Sequence, residues 1–178
     1  MFLIRIACVL SLLCLAACDR LPESYPPPEQ RQPVPGFSPS SGADAMMVAM
    51  DSSDADLLIA KDIYSGTGIS WRWTKKEPTV HIPLLSTENL KFSVDFALWQ
   101  DSFRVTGPLV ISFLVNGKLL DKVRYTTPGN KHFEKPVPAD WLAGHNEAIL
   151  TLSVDKVYTA PKDGSKYGVI LTRIGLKP

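Results

Sequence analysis

From about residue 91 onward, apolar side chains recur at every second position. In "LKFSVDFALW", Phe92, Val94, Phe96 and Leu98 share one parity, while Lys91, Ser93, Asp95 and Ala97 take the other. That pattern belongs to a strand with one face on a core and one in water. "GPLVISFLVNGKLLDKVRY" repeats it, with Ile111, Phe113 and Val115 on one face. Asn116-Gly117 then predicts a two-residue hairpin, because both positions tolerate positive φ. The return strand, Lys118 to Tyr125, carries Leu119, Val123 and Tyr125 on one parity. "TPGNK" at 127–131 predicts a further turn. "HFEKPVP" reads as extended, and Pro136 and Pro138 confine it to a sheet edge or an exit, since proline has no N–H for the ladder. Asp140 is placed to cap one helical turn through Trp141 and Leu142. "EAILTLSVDKVY" alternates again, with Ala148, Leu150, Leu152 and Val154 facing inward, and "APKDGSK" is a loop around Asp163-Gly164. In the closing strand, "YGVILTRIG", Val169 and Leu171 share one face and Ile170, Thr172 and Ile174 the other.

Upstream, "DLLIAKDIY", "ISWRWT" and "TVHIPL" predict three short extended segments, and "SSGADAMMVAM" fits either a short helix or a first strand. Helical periodicity is scarce beyond residue 55. About eight strands separated by Gly, Pro, Asn and Asp turns predict an all-β fold, an antiparallel β-sandwich or barrel. Polar outer faces point to sheets packed face to face. The segment from residue 44 to 178 is long enough for one domain with its own core.

The N-terminus departs from this pattern. Arg5 precedes an apolar run from Ile6 to Ala17. Crossing about 30 Å of hydrocarbon takes roughly 20 apolar residues, so this run is too short to span and fits a secretory signal peptide over residues 1–17. Leu15-Ala16-Ala17-Cys18 resembles the lipobox of bacterial lipoproteins. That resemblance implies a diacylglycerol on the Cys18 sulfur, cleavage before it and acylation of the new amino group. A thiolate is the side chain most easily alkylated, and stable anchoring takes more than one acyl chain. The simpler alternative is an ordinary cleaved signal with Cys18 as an incidental first residue. Cys8 and Cys14 fall in the leader, which leaves no disulfide framework and no thiolate metal site. In the lipoproteins of enteric bacteria, an aspartate at the next position resembles an inner-membrane retention signal. Asp19 therefore favours the inner membrane, facing the periplasm, over the outer membrane.

Seven of the 15 prolines lie between Pro22 and Pro39. Proline fixes φ and lacks an N–H, so residues 18–43 are expected to form a disordered, extended tether that lifts the domain off the bilayer. With 19 basic and 18 acidic residues, of which Arg5 leaves with the leader, the charge is balanced. Nothing in that balance suggests nucleic acid as a partner.

The most distinctive stretch of the domain is "GISWRWTKKEPTVHIPL". On a strand Trp71 and Trp73 share a face and Arg72 takes the other. Two coplanar indoles would make a stacking platform for sugar C–H groups if exposed, or good sandwich core if buried; large aromatics are usually buried. Arg72 would either hydrogen-bond a ligand or pair with a neighbouring acid. "WRWT", "FRVTGPLVISFLVNGKLL", "HFEKPVPADWL", "LSVDKVY" and "DGSKYGVILTRIGL" together resemble a jelly-roll domain of the galactose-binding-like, carbohydrate-binding-module type, over Asp56 to Leu176. This implies a jelly-roll sandwich and glycan recognition, with Trp71, Arg72 and Trp73 as candidate ligand contacts. A protein partner in an envelope assembly is the alternative.

No catalytic motif stands out. His81, His132 and His145 are dispersed, without metal-ligand spacing, and His81 is expected on the polar side of its strand. No nucleophile elbow or phosphate loop is present. Asp51, Asp54 and Asp56 supply hard oxygen donors but miss the spacing of a calcium loop and read as a solvated turn. Glu134, Asp140 and Glu147 are the carboxylates from which a glycosidase pair would have to come. The expectation is therefore a non-enzymatic protein without cofactor or metal.

Overall fold

A computed structural model describes residues 46–66 and 70–178. The leader, Cys18, Asp19 and the Pro-rich stretch lie outside the described residues. The described chain forms eleven strands, all paired antiparallel. They are β1 (Met47–Ala49), β2 (Ile59–Ile63), β3 (Arg72–Pro83), β4 (Lys91–Leu98), β5 (Leu109–Val115), β6 (Lys118–Tyr125), β7 (Gly129–Pro136), β8 (Glu147–Val154), β9 (Tyr158–Thr159), β10 (Lys166–Tyr167) and β11 (Ile170–Lys177). Two short helices, α1 (Ala55–Leu58) and α2 (Gln100–Thr106), and a 3-10 turn at Ala139–Trp141 join them.

One sheet runs β1-β11-β4-β7 and the other β2-β3-β8-β5-β6. Setting aside β2 and the β9–β10 hairpin, eight principal strands remain. The first of these pairs with the last, the second with the seventh, the third with the sixth and the fourth with the fifth. That nesting is the rolled double Greek key of a jelly roll. β3 links the layers: Arg72 and Trp73 pair with Leu171 and Ile170 of β11, whereas Thr79 to Pro83 pair with β8. The two segments predicted around "WRWT" and "TVHI" are thus one 12-residue strand.

Alternation builds the core directly. Phe92, Val94, Phe96 and Leu98 of β4 face Leu109, Ile111, Phe113 and Val115 of β5, and all are buried. Phe113 stacks on Phe133 of β7 with ring centroids 3.6 Å apart, and Phe92 meets both edge-on at 6.0 Å. Aromatic rings from both sheets therefore interlock at the centre. β8 contributes Ala148, Leu150, Leu152 and Val154 as expected.

Local departures have local causes. The Asn116-Gly117 hairpin forms, with φ of 49° and 76°. Its Asn116 side chain also accepts from the Ile149 N–H and donates to the Trp141 carbonyl, both at 2.8 Å. A register shift between Phe113 and Leu114 inserts a residue into β6, so Leu119 points to solvent and Leu120 packs on the core instead. A second shift, between Leu171 and Arg173, turns Ile174 inward with Val169 and Leu171. A bulge reverses parity beyond itself, which strict alternation cannot foresee. "DLLIA" begins as α1 before entering β2, and "QDSFRVT" is helical. Asp140 lies within the 3-10 turn and makes no side-chain cap; Pro138 holds the cap position. β7 is an edge strand, as Pro136 at its end requires.

The outer face of the β1-β11-β4-β7 sheet carries a charged row. Glu134 of β7 pairs with Lys177 at 2.6 Å, Lys91 at 3.3 Å and His132 at 3.4 Å. Hydrogen bonds from Lys177 and then Lys91 hold its carboxyl at about 2, well below its ordinary 4.5. A carboxyl depressed in this way stabilises the fold fully above its unfolded value and ceases to do so as pH falls toward the folded one. Wild-type protein is therefore expected to lose stability between pH 4.5 and about 2. Glu134→Gln should be less stable at neutral pH and flatter across that window, as read from urea midpoints.

Candidate functional site

The site lies where β3 leaves one sheet for the other. Trp73 pairs with Ile170, and Ile170 also pairs with Ala97. These three residues form one outward row across the strands. Trp71, just before β3, and Trp99, just past the end of β4, continue the outward parity of their strands. Of the two alternatives for the tryptophan pair, core or exposed, the structure shows exposure: Trp71 is 41% exposed and Trp73 half-buried, and Trp99 beside them is 44% exposed. The indoles are not coplanar. Trp71 meets Trp73 edge-on at 6.5 Å and 89°, and Trp99 meets Trp73 at 5.7 Å and 79°. Trp73 is thus flanked by two rings that stand across it, which makes a walled trough in place of a flat platform.

The short β9–β10 hairpin closes the far side. Its register sets Tyr158 directly opposite Tyr167, so both rings reach the same cleft. Asp163 shapes the hairpin loop by accepting from the Ser165 N–H and hydroxyl. Those two bonds hold its carboxyl below the usual range. Tyr167 packs on Trp73 at 5.1 Å and stacks on Tyr64 at 5.5 Å. Tyr64 is fixed in turn by donating its hydroxyl to the Lys166 carbonyl at 3.0 Å. Trp99 is set by α2, whose Phe103 N–H and Ser102 hydroxyl both donate to its carbonyl. The result is a cleft of about 520 Å³ lined by Trp71, Trp73, Trp99, Tyr158, Tyr167 and Ile170 together with Ala160. Among the described residues, no acidic or basic side chain lines it. Among the described residues, none of its three indole N–H groups or two tyrosine hydroxyls has a hydrogen-bond partner. An apolar trough with unspent polar tips suits a ligand that offers both C–H faces and hydroxyl oxygens.

Arg72 takes no part in this cleft. It faces the other way and is only 3% exposed. Its Nε donates to the Met50 carbonyl at 2.9 Å and its guanidinium pairs with Asp56 at the start of α1. Of the two roles weighed for Arg72, the structure shows the pairing with a neighbouring acid; a buried cation needs such partners. The same pair commits Asp56, leaving Asp51 and Asp54 exposed in the preceding turn.

Thr74 anchors the cleft from below. Its N–H donates to the Val169 carbonyl, its hydroxyl bonds the same residue, and its carbonyl accepts from Gly168 at 2.7 Å. A Cβ on Gly168 would run into the Lys75 carbonyl. Gly168→Ala is therefore expected to cost about 2 kcal/mol, as overpacking typically does. It should also separate Tyr167 from Trp73, a change visible in near-UV circular dichroism.

The other sequence candidates are scattered. His81 faces the polar side, as expected, and pairs with Glu147 at 3.0 Å. His132 pairs with Asp95 at 2.7 Å on the opposite sheet. His145 is exposed beyond the 3-10 turn. Glu134 and Glu147 lie in different sheets and are engaged in separate ion pairs, so no glycosidase pair is assembled from them. The sequence reading missed Trp99, Tyr158, Tyr167 and Tyr64. Only Trp99 gave a signal, as the last outward position of an otherwise clear alternation.

No protein-family model and no curated protein matches the chain. Among solved structures it is similar to a family 35 carbohydrate-binding module from Clostridium thermocellum, with 8% identity and a TM-score of 0.36 over 76% of this chain and 93% of that one. It is also similar to the CBM36-1 domain of a multidomain xylanase from the hindgut metagenome of Trinervitermes trinervoides, with 12% identity and a TM-score of 0.37 over 72% and 94%. A third likeness is to a GH115 4-O-methyl-α-glucuronidase, BtGH115A, specific for decorated arabinogalactans, with 13% identity and a TM-score of 0.41. That match covers 68% of this chain and 16% of the enzyme's length. At such TM-scores the fold assignment rests on the strand pairing described above.

Proposed function

We propose that this chain is a lipid-anchored protein of the bacterial envelope whose jelly-roll domain, residues 44–178, binds a glycan without catalysis. The exposed aromatic cleft carries this reading. A contiguous cluster of large aromatic rings left in water marks an interaction surface, and three tryptophans and two tyrosines converge on one trough. A pyranose ring supplies the matching surface, with C–H groups for the indole faces and hydroxyls for the indole N–H and phenol tips. Cys18 would carry the acyl chains, Asp19 would favour inner-membrane retention, and the Pro-rich stretch would supply reach.

Two experiments test this. Titrating the full-length chain with envelope polysaccharides should show saturable binding that Trp71→Ala and Trp73→Ala weaken while the far-UV spectrum stays intact. If both variants bind glycan as wild type does, the cleft is not the glycan site. If wild type binds no glycan but co-purifies with one envelope protein, the protein-partner reading replaces it. Mass spectrometry of the protein from its native membrane should find diacylglycerol on Cys18; an unmodified thiol on soluble protein would remove the anchor.

A further inference from the structure

The floor of the aromatic cleft continues past its walls. Trp73 pairs with Ile170, Ile170 with Ala97, and Ala97 with Asn130 of β7. Residues paired in register point to the same face, so these four form one outward row across β3, β11, β4 and β7. The row covers three steps between strands, about 14 Å at the usual strand spacing. Between Ile170 and Asn130 stands only the methyl group of Ala97, which leaves a low saddle. Beyond the saddle lies a second cavity, of about 450 Å³, with Asp95, Asn130, His132 and Thr172 in its lining.

The two cavities complement each other chemically. The aromatic one offers ring faces, phenol hydroxyls and indole N–H groups, and an indole N–H only donates. The second adds acceptors. Among the described residues, neither the Asn130 side-chain amide nor the Thr172 hydroxyl has a hydrogen-bond partner, and both groups accept as well as donate. The ionisable neighbours are held in place. His132 is pinned by Asp95 at 2.7 Å, and the Lys131 ammonium donates to the Thr127 hydroxyl and the Pro128 carbonyl. Neutral polar groups thus stand on a fixed frame at one end of the row, and stacking surface stands at the other. A single pyranose ring is too short to touch both ends.

Resting on the glycan reading above, we infer that the site is extended: one sugar stacks in the aromatic trough, the chain crosses Ala97, and a further sugar hydrogen-bonds Asn130 and Thr172. The ligand is then an oligosaccharide or polysaccharide held through consecutive sugars, and a lone monosaccharide fills only the aromatic half.

The test uses size ladders, from monomer to tetramer, of β-linked glucose and of β-linked N-acetylglucosamine, titrated into the full-length chain. In a ladder that binds, the trimer should bind about thirtyfold more tightly than the monomer, the size of two neutral hydrogen bonds. Asn130→Ala, altered at an exposed position, should weaken the trimer about fivefold, the size of one such bond, and leave the monomer unchanged. Ala97→Leu, which raises the saddle, should also weaken the trimer alone. The side-chain amide resonances of Asn130 should shift with trimer and stay fixed with monomer. Monomer and trimer binding equally, with both weakened in Trp73→Ala, would overturn the extended site and leave the glycan reading standing. A length dependence unchanged in Asn130→Ala and Ala97→Leu would also overturn it. Binding of no member of either ladder would bring down the glycan reading and this inference with it.

Discussion

Phe113→Ala is expected to destabilise the fold by about 4 kcal/mol, within the usual range for removing a buried phenylalanine. Phe113 is fully buried on β5 and touches the opposite sheet through three rings, Phe133, Phe92 and Phe96. Deleting it removes the face-to-face partner of Phe133 and leaves a hole between layers that strands paired on both sides cannot readily close. A domain of this length has of order 10 kcal/mol in total, so the variant should remain folded in water with a much lower urea midpoint. Leu114→Ala, one residue along and half-buried on the outer face, should cost less than about 1 kcal/mol. Equal losses at the two positions would mean that the inner face of β5 is not the centre of the core.

Trp73→Ala should have the largest effect on binding. Trp73 is the central ring of the cleft, in contact with Trp71, Trp99 and Tyr167 at once. Truncating it removes the surface on which the proposed ligand rests and releases the two flanking indoles from their edge contacts. We expect affinity to fall about thirtyfold, equivalent to about 2 kcal/mol, from lost apolar contact and lost aromatic packing together. The stability cost should be smaller than that of Phe113→Ala, because Trp73 is only half-buried and its neighbours are exposed. Trp73→Phe should recover part of the affinity. A Trp73→Ala variant that binds normally, or one that unfolds outright, would each contradict the role assigned to this ring.

The layered fold was legible because alternation is a direct physical record of burial. β5 and β8 read correctly, residue by residue, β4 did so apart from Ser93, which is buried on the outward parity, and the Asn116-Gly117 turn fixed the β5–β6 hairpin. What failed were features that alternation does not encode. The bulges that expose Leu119 and bury Ile174 shift register without any glycine or proline to mark them. Helix α2 is about two turns long and its buried residue is Ser102, so it carries almost no apolar period.

The candidate site was half legible. The shared parity of Trp71 and Trp73 is correct, and so is the opposite direction of Arg72. The choice of face is not written in the pattern, which allowed the indoles to be core or platform and placed Arg72 with them as a ligand contact; the arginine is inside and the indoles are outside. Side-chain size favours burying tryptophan, but here Asp56 and the Met50 carbonyl satisfy the guanidinium in the interior, and the ring faces meet one another on the outside. Tyr158 and Tyr167 sit nearly a hundred residues from the pair, on strands of two residues. Only the jelly-roll nesting of β3 against β11 brings them together, and no local pattern records it.

Trp71, Trp73 and Trp99 together form the proposed ligand cleft. Of the four tryptophans, only Trp141 lies elsewhere, beneath the Lys118 ammonium. The most direct measurement follows the four indole N–H resonances of nitrogen-15-labelled protein during titration with envelope oligosaccharides. Three signals should shift together along one binding curve while Trp141 stays fixed. Saturable binding that leaves those three signals in place, or that moves Trp141 alone, would contradict it.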